Sequence, residues 1–226
     1  MADPFRHIVT LDGPAGVGKT TMAKRLAGAL RIPYMDTGAM YRVCGMRLGE
    51  EATAMSEADI LQTLRAIHFS LDGSGEGTRL LVDDVPMGDE IRTERVGMLA
   101  STVGTLPSVR AYCREAQQGL GVATPLVAEG RDMGTVVFPR AAYKFFLEAA
   151  PEIRAQRRLD QLKEMGASDL PSLDDLAAQI AARDHQDRTR KEAPLKPAED
   201  AILIDTGKLD VDGVFKRLMQ EIKAAG

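Results

Sequence analysis

The stretch "HIVTLDGPAGVGKTTMAKRLAGAL" constrains the chain more than any other. The apolar run at 7–12 reads as a short buried strand, and apolar residues at 22, 23, 26, 27 and 30 keep the spacing of a helix face. Between them, Gly13, Gly18, Lys19 and Thr20 fill the pattern G-x-x-x-x-G-K-[ST]. In a strand–loop–helix setting the loop Gly13, Pro14, Ala15, Gly16, Val17, Gly18 turns its N–H groups toward phosphate oxygens. The helix adds its N-terminal dipole, and Lys19 reaches the β and γ oxygens. Thr20 offers a hydroxyl to Mg²⁺, a cation that keeps several waters and takes few protein oxygens. Asp12, at the strand end, belongs to the same donor site. The expected ligand is a nucleoside triphosphate, ATP with Mg²⁺.

The rest of the chain continues the alternation. Short apolar runs at 32–36, 125–130, 141–149 and 201–205 read as strands. Helical patterns lie between them, two across 90–119 broken near Pro107, one at 151–166 opened by Pro151 and stopped by Gly166, and one at 210–224. Ser172 and Asp175 form a capping box at the start of a further helix that runs to about 190. The β-rich runs 67–71 and 79–84, separated by "DGSGEGT", read instead as an antiparallel hairpin, and "VPMGDEIRT" adds a third short strand. The expectation is an α/β chain, 1–226, forming one domain of three layers: a parallel central sheet flanked by helices, plus a small antiparallel β insertion.

Composition excludes several classes. A formal net charge of −4 argues against a broad nucleic-acid surface. The two cysteines, Cys44 and Cys113, form no CxxC or zinc spacing, so reduced thiols in a cytoplasmic setting are expected. No apolar run approaches the ~18–20 residues of a membrane span, and the opening "MADPFRHIVTLDG" lacks the pattern of a secretion signal. No exposed apolar heptad appears, which suggests a monomer.

Three more segments, "MDTGAMYR" (35–42), "AEGRDMGTVVFP" (128–139) and "ARDHQDRTR" (182–190), accompany the glycine loop in order. Together with "APLKPAEDA" they resemble bacterial cytidylate kinases, P-loop nucleoside monophosphate kinases, from residue 8 to about 206. The resemblance implies a P-loop NTPase fold in which residues 53–96 form the monophosphate-binding insertion and 151–192 the lid region. It implies that Arg42, Arg131 and Arg190 surround the acceptor phosphate, a role suited to planar, permanently charged forks. It implies that Asp132 and Arg110, with Ser101, read the cytosine edge, where an N4 amine donates and N3 and O2 accept. It makes Asp187 an acceptor from ribose hydroxyls. Thr37 and Tyr41 follow the second strand where ribose and phosphate would lie. In the lid, Arg154, Arg157 and Arg158 are candidates to neutralise the moving phosphoryl group. Glu129 departs from the resemblance, because many relatives have Asp before the Gly-Arg-Asp triplet; with Asp12 and Asp36 it is a strand-end carboxylate near the metal.

The reaction so implied is transfer of the γ-phosphoryl group of ATP to CMP or dCMP. The acceptor phosphate has a second pKa of ~6 and needs no general base. Catalysis is then positioning and electrostatics, with Lys19, Arg131, Arg190 and the lid arginines acting on the phosphates. Alternatives are a P-loop kinase for UMP, AMP or shikimate, or a GTPase-type switch. The last requires an N-K-x-D motif, and the chain contains no asparagine.

Overall fold

The computed structural model describes residues 5, 7–164, 166 and 170–224. The reading of residues 1–4 and the helix step at 165 lie outside the described residues. The main sheet has five parallel strands in the order β2-β6-β1-β7-β8. These are β1 Ile8–Asp12, β2 Tyr34–Asp36, β6 Leu126–Gly130, β7 Tyr143–Glu148 and β8 Ile202–Asp205. Both β1 and β6 are buried along their whole length, which is why "IVTLD" and "LVAEG" read as continuous runs rather than alternating ones.

Period two still decides which face each residue covers. Val9 and Leu11 point into one core with Val127, Phe145 and Leu147, shared with α1 (Lys19–Leu30) and α8 (Val211–Ala224). Ile8 points the other way, into a core with Leu126, Ala128, Met133 and Phe138. A third core lies among α2 (Thr37–Leu48), α3 (Glu57–Arg65), α4 (Glu94–Val103) and α5 (Pro107–Ala123). In it Cys44 and Cys113, both buried, bring their Sγ atoms to 3.7 Å as free thiols.

The antiparallel insertion is present as β3 Phe69–Asp72, β4 Arg79–Val82 and β5 Val85–Pro86. Its second turn is set by Asp83 and Asp84, with φ of 52° and 64°, the double left-handed geometry of a tight hairpin. Two features differ from the expectation. The third strand is only a pair of residues, after which Asp89–Arg92 winds into a 3₁₀ turn. Residues 57–65 form the helix α3, capped by Ser56 accepting from the Asp59 N–H and burying Ile60 and Leu64. That helix was hidden in a stretch whose β-branched and glycine signals dominate.

The segment expected to act as a lid is two packed helices, α6 Pro151–Glu164 and α7 Leu173–Thr189. No helix among the described residues is long and apolar enough to cross a membrane. The parallel register places Asp36 beside Glu129 and Asp12 beside Gly130, so three carboxylates and the glycine loop share the carboxyl edge of the sheet. Ligands of open α/β sheets bind at that edge.

Candidate active site at the carboxyl edge of the sheet

The glycine loop runs from β1 into α1. Gly13 has φ of +146°, and a Cβ there would stand 2.2 Å from the Leu147 carbonyl oxygen, so the loop passes too close to β7 for a side chain. Lys19 is buried, and its Nζ donates to the Pro14 carbonyl at 2.7 Å. Burial, and after it Arg131, pulls its pKa down to about 7, against the pull of Glu129 and Asp12. The cradle is thus short of negative charge, which is what a polyphosphate supplies.

Asp12 holds the cradle from below. Its oxygens accept from the N–H groups of Met133 at 2.8 Å and Gly134 at 2.7 Å. Burial outweighs those two bonds and raises its pKa to about 6. Both oxygens are engaged in a clamp that ties β1 to the wide π-type turn Met133–Val137. Such turns recur at functional sites.

Glu129 is buried and accepts at 2.5 Å from the hydroxyl of Tyr34. Burial raises its pKa, as does Asp36, while Lys19 and the Tyr34 and Thr20 hydroxyls favour the charged form. Asp36 caps α2 through the Ala39 N–H at 3.0 Å, and its other oxygen is 3.4 Å from Arg92. Thr20, Glu129 and Asp36 therefore bring one hydroxyl and two carboxylates to the mouth of the loop. Those hard oxygens fit a Mg²⁺ held mainly by water and substrate phosphates.

Opposite the loop the cations gather. Arg42 donates to the Ile91 carbonyl at 2.9 Å, and its pKa is lowered by desolvation, then by Arg92 and Arg158 against Asp36. Arg131 reaches Asp187 at 2.9 Å, and Arg190 stands 3.6 Å from the other oxygen of Asp187. Arg183 keeps much of its length exposed, yet desolvation of its head group and then Arg131 lower its pKa. Arg190 is lowered likewise, by desolvation and then Arg110. Its buried Nη2 has no hydrogen-bond partner among the described residues. Guanidinium groups that mutually disfavour their own charge define an anion site.

Beside them lies a cavity of about 130 Å³ lined by Tyr41, Arg110, Asp132, Val136 and Ala193, among others. Arg110 pairs with Asp132 in its wall, both buried, and the Arg110 guanidinium lies 5.7 Å from the centre of the Tyr41 ring. Gly130, just before this pair, has no room for a Cβ, which would come within 2.8 Å of the Thr37 hydroxyl. Thr37 itself donates to the Glu129 carbonyl at 2.7 Å. Ser101 donates to Gln186 at 3.4 Å, linking α4 to α7.

The three arginines expected in a lid make different contacts. Arg154 is buried and donates to both oxygens of Asp184, at 3.1 and 2.5 Å. Arg157 clasps Thr206, through Oγ1 at 3.1 Å and the carbonyl at 2.7 Å. Arg158 is exposed, bonded to Gln161 at 2.9 Å, and close enough to Arg42 to depress it.

Three residues were not among those expected here. Arg183 had a signal, since it lies one turn before Asp187 on the same face. Arg92 and Tyr34 had none, because the insertion and the β2–β6 pairing bring them to Asp36 and Glu129.

Fold and site together define a P-loop phosphotransferase, with a triphosphate cradle facing a cluster of arginines. The fold resembles the crystal structure of a shikimate kinase from Bacteroides thetaiotaomicron, with a TM-score of 0.50 at 16% identity over 96% of this chain and 98% of that one. A family model described as cytidylate kinase matches residues 9–224, and the chain belongs to that family. Relatives named cytidylate kinase include one from Oleidesulfovibrio alaskensis, 56% identical over 96% of this chain and 98% of its own. Another, from Maridesulfovibrio salexigens, is 53% identical over 98% of this chain and 97% of its own.

Proposed function

We propose that the chain transfers the γ-phosphoryl group of ATP to the phosphate oxygen of CMP or dCMP, giving ADP and CDP or dCDP. The observation that carries the acceptor half is the buried Arg110–Asp132 pair in the wall of a cavity, with Arg190 3.8 Å from the second Asp132 oxygen. A carboxylate beside the N4 amine and a guanidinium beside N3 and O2 match cytosine, and uracil reverses the chemistry at positions 4 and 3.

Residues 13–20 hold the donor phosphates, with Lys19 leaving the Pro14 carbonyl for the β and γ oxygens. When bound, Mg²⁺ neutralises charge on those oxygens; Thr20 would hold it, with Glu129 and Asp36 accepting from its waters. Arg42, Arg131, Arg183 and Arg190 bind the acceptor phosphate, and Asp187 takes the ribose hydroxyls while orienting Arg131. Tyr41 supports Arg110 with its ring. Of the lid arginines, Arg158 is exposed, bonded to Gln161 and close enough to Arg42 to lower its pKa, which supports assigning it to neutralise the group in flight.

The acceptor is a dianion near neutral pH and attacks without a base. The fixed cations and an in-line placement supply the rate, and lid closure keeps out water, the competing nucleophile. The enzyme acts as a cytoplasmic monomer. ADP release from MgATP tests the reading with CMP, dCMP, UMP, AMP, GMP, shikimate or no acceptor. Fast turnover with CMP and dCMP alone supports it; equal turnover without an acceptor, or preference for another acceptor, overturns it.

A further inference from the structure

Arg154 joins two parts of the molecule that bind different substrates. It lies in the first turn of α6, 2% exposed. Its Nε donates to the Ala149 carbonyl at 2.9 Å, at the end of β7. Its Nη1 donates to the Ala15 carbonyl of the phosphate loop at 3.2 Å and to Asp184 at 3.1 Å, and its Nη2 to the second Asp184 oxygen at 2.5 Å. The contact with the loop is also steric, since a Cβ on Gly16 would stand 3.2 Å from the Arg154 Cβ. Four of its five N–H donors are thus held by protein, which suits a bolt between elements better than a group that meets a phosphate.

Asp184 lies on α7 beside Arg183 and one turn before Asp187. Asp187 in turn holds Arg131 at 2.9 Å and Arg190 at 3.6 Å. A shift of Asp184 therefore moves Arg131 and Arg190 together, because one helical turn is rigid on this scale. The donor loop has a reason to shift. Its Pro14 carbonyl is tied at 2.7 Å to Lys19, and a bound polyphosphate takes that lysine away. The neighbouring Ala15 carbonyl, which Arg154 reads, belongs to the peptide that follows.

We propose that Arg154 is a positioning residue that couples occupation of the donor loop to the geometry of the acceptor arginines through Asp184. Donor binding changes the hold of the loop on Arg154, Asp184 carries that change along α7, and the acceptor site is completed only when the donor is present. The inference rests on the acceptor reading given above. It assigns Arg154 a role that touches neither substrate, and it leaves Arg158 to act on the phosphoryl group.

The test is calorimetric titration of CMP with and without a non-hydrolysable ATP analogue and Mg²⁺. The analogue is expected to tighten CMP roughly tenfold in the native chain, within the usual range of site-to-site coupling. In Arg154→Lys, which keeps the cation but loses the fork, that gain falls to about twofold or less, while CMP affinity without the analogue stays within about threefold. Asp184→Asn is expected to do the same. Removing one partner of a buried pair risks unfolding, so thermal melts accompany the titrations and Arg154→Lys decides if the other variant does not fold. An unchanged gain in Arg154→Lys, no gain in the native chain, or an equal loss of CMP affinity with and without analogue overturns the proposal. Turnover of CMP by the native chain is measured on the same sample. Its absence would sink the functional reading itself, whereas turnover without coupling would sink only this inference.

Discussion

Arg110 and Asp132 form a buried ion pair in which one carboxylate oxygen accepts from Arg110 while the other lies 3.8 Å from Arg190. In the function proposed above, this one carboxylate ties the residue assigned to the base (Arg110) to one assigned to the phosphate (Arg190). Desolvating such a group is repaid only when its partners are all in place. A ligand that leaves one of its oxygens facing another acceptor will bind poorly.

Asp132→Asn keeps the shape and removes the charge. It is expected to lower kcat/KM for CMP by about 10²–10³ and to narrow the ratio between CMP and UMP, since discrimination by buried polar groups rests on leaving the wrong base unpaired. Initial rates with both acceptors measure this. An unchanged ratio would mean that the base is read elsewhere.

Tyr34 and Glu129 are expected to behave as a unit. The 2.5 Å hydrogen bond between them is buried, and Tyr34→Phe leaves the carboxylate without that donor, at a cost of about 1–3 kcal/mol. Glu129→Asp withdraws the carboxylate from the hydroxyl and should cost a similar amount. The double variant should then be less destabilised than the sum, because the second change removes a contact already lost. Denaturant unfolding of the three variants gives the coupling; strict additivity would show that the short contact contributes nothing.

Much of this was legible in the sequence, and the exceptions have physical causes. The cradle was visible because Gly13, Gly18, Lys19 and Thr20 are adjacent in the chain and their roles follow from local backbone geometry. The sheet was visible because β1, β6 and β7 are fully or nearly fully buried and hence largely apolar, with no polar alternation. The helix α3 was not, since its nine residues bury only Ile60 and Leu64 and sit among hairpin signals. In the site, spacing put Arg154 and Arg158 on one helical face and suggested one role. Burial separates them: Arg154 is enclosed by Ala15, Ala149 and Asp184, while Arg158 stays open. That difference depends on where α7 and the glycine loop lie, which no local pattern records. The meeting of Cys44 and Cys113 across α2 and α5 is of the same kind.

Lys19 makes donor binding pH-dependent. Its pKa is about 7 in the free protein against an ordinary 10.5. Above pH 7 the free lysine is largely neutral, and phosphate oxygens favour its charged form, so binding takes up a proton. Affinity for a MgATP analogue should therefore fall as pH rises from about 7 toward 9. Stability of the free protein has the opposite slope from this group, because the unfolded chain binds the extra proton between pH 7 and 10.5. Calorimetry at pH 8 in buffers of different ionisation enthalpy should show uptake of up to one proton; a buffer-independent enthalpy would refute the shift.

Arg158 provides the sharpest separation between binding and chemistry. Its side chain is exposed and among the described residues bonds Gln161, so Arg158→Ala should leave stability within about 0.5 kcal/mol. Its field reaches Arg42, which the proposed function assigns to the acceptor phosphate, and a cation there would meet the most charge when the phosphoryl group is between its two oxygens. The expected result is a fall in kcat of about 10²–10⁴ with KM for CMP and ATP changed less than about threefold, the mark of an interaction made in the transition state. Arg154→Lys should differ in kind, raising KM for CMP when ATP is saturating. If the two variants show the same split between kcat and KM, the division of labour between the arginines of α6 fails.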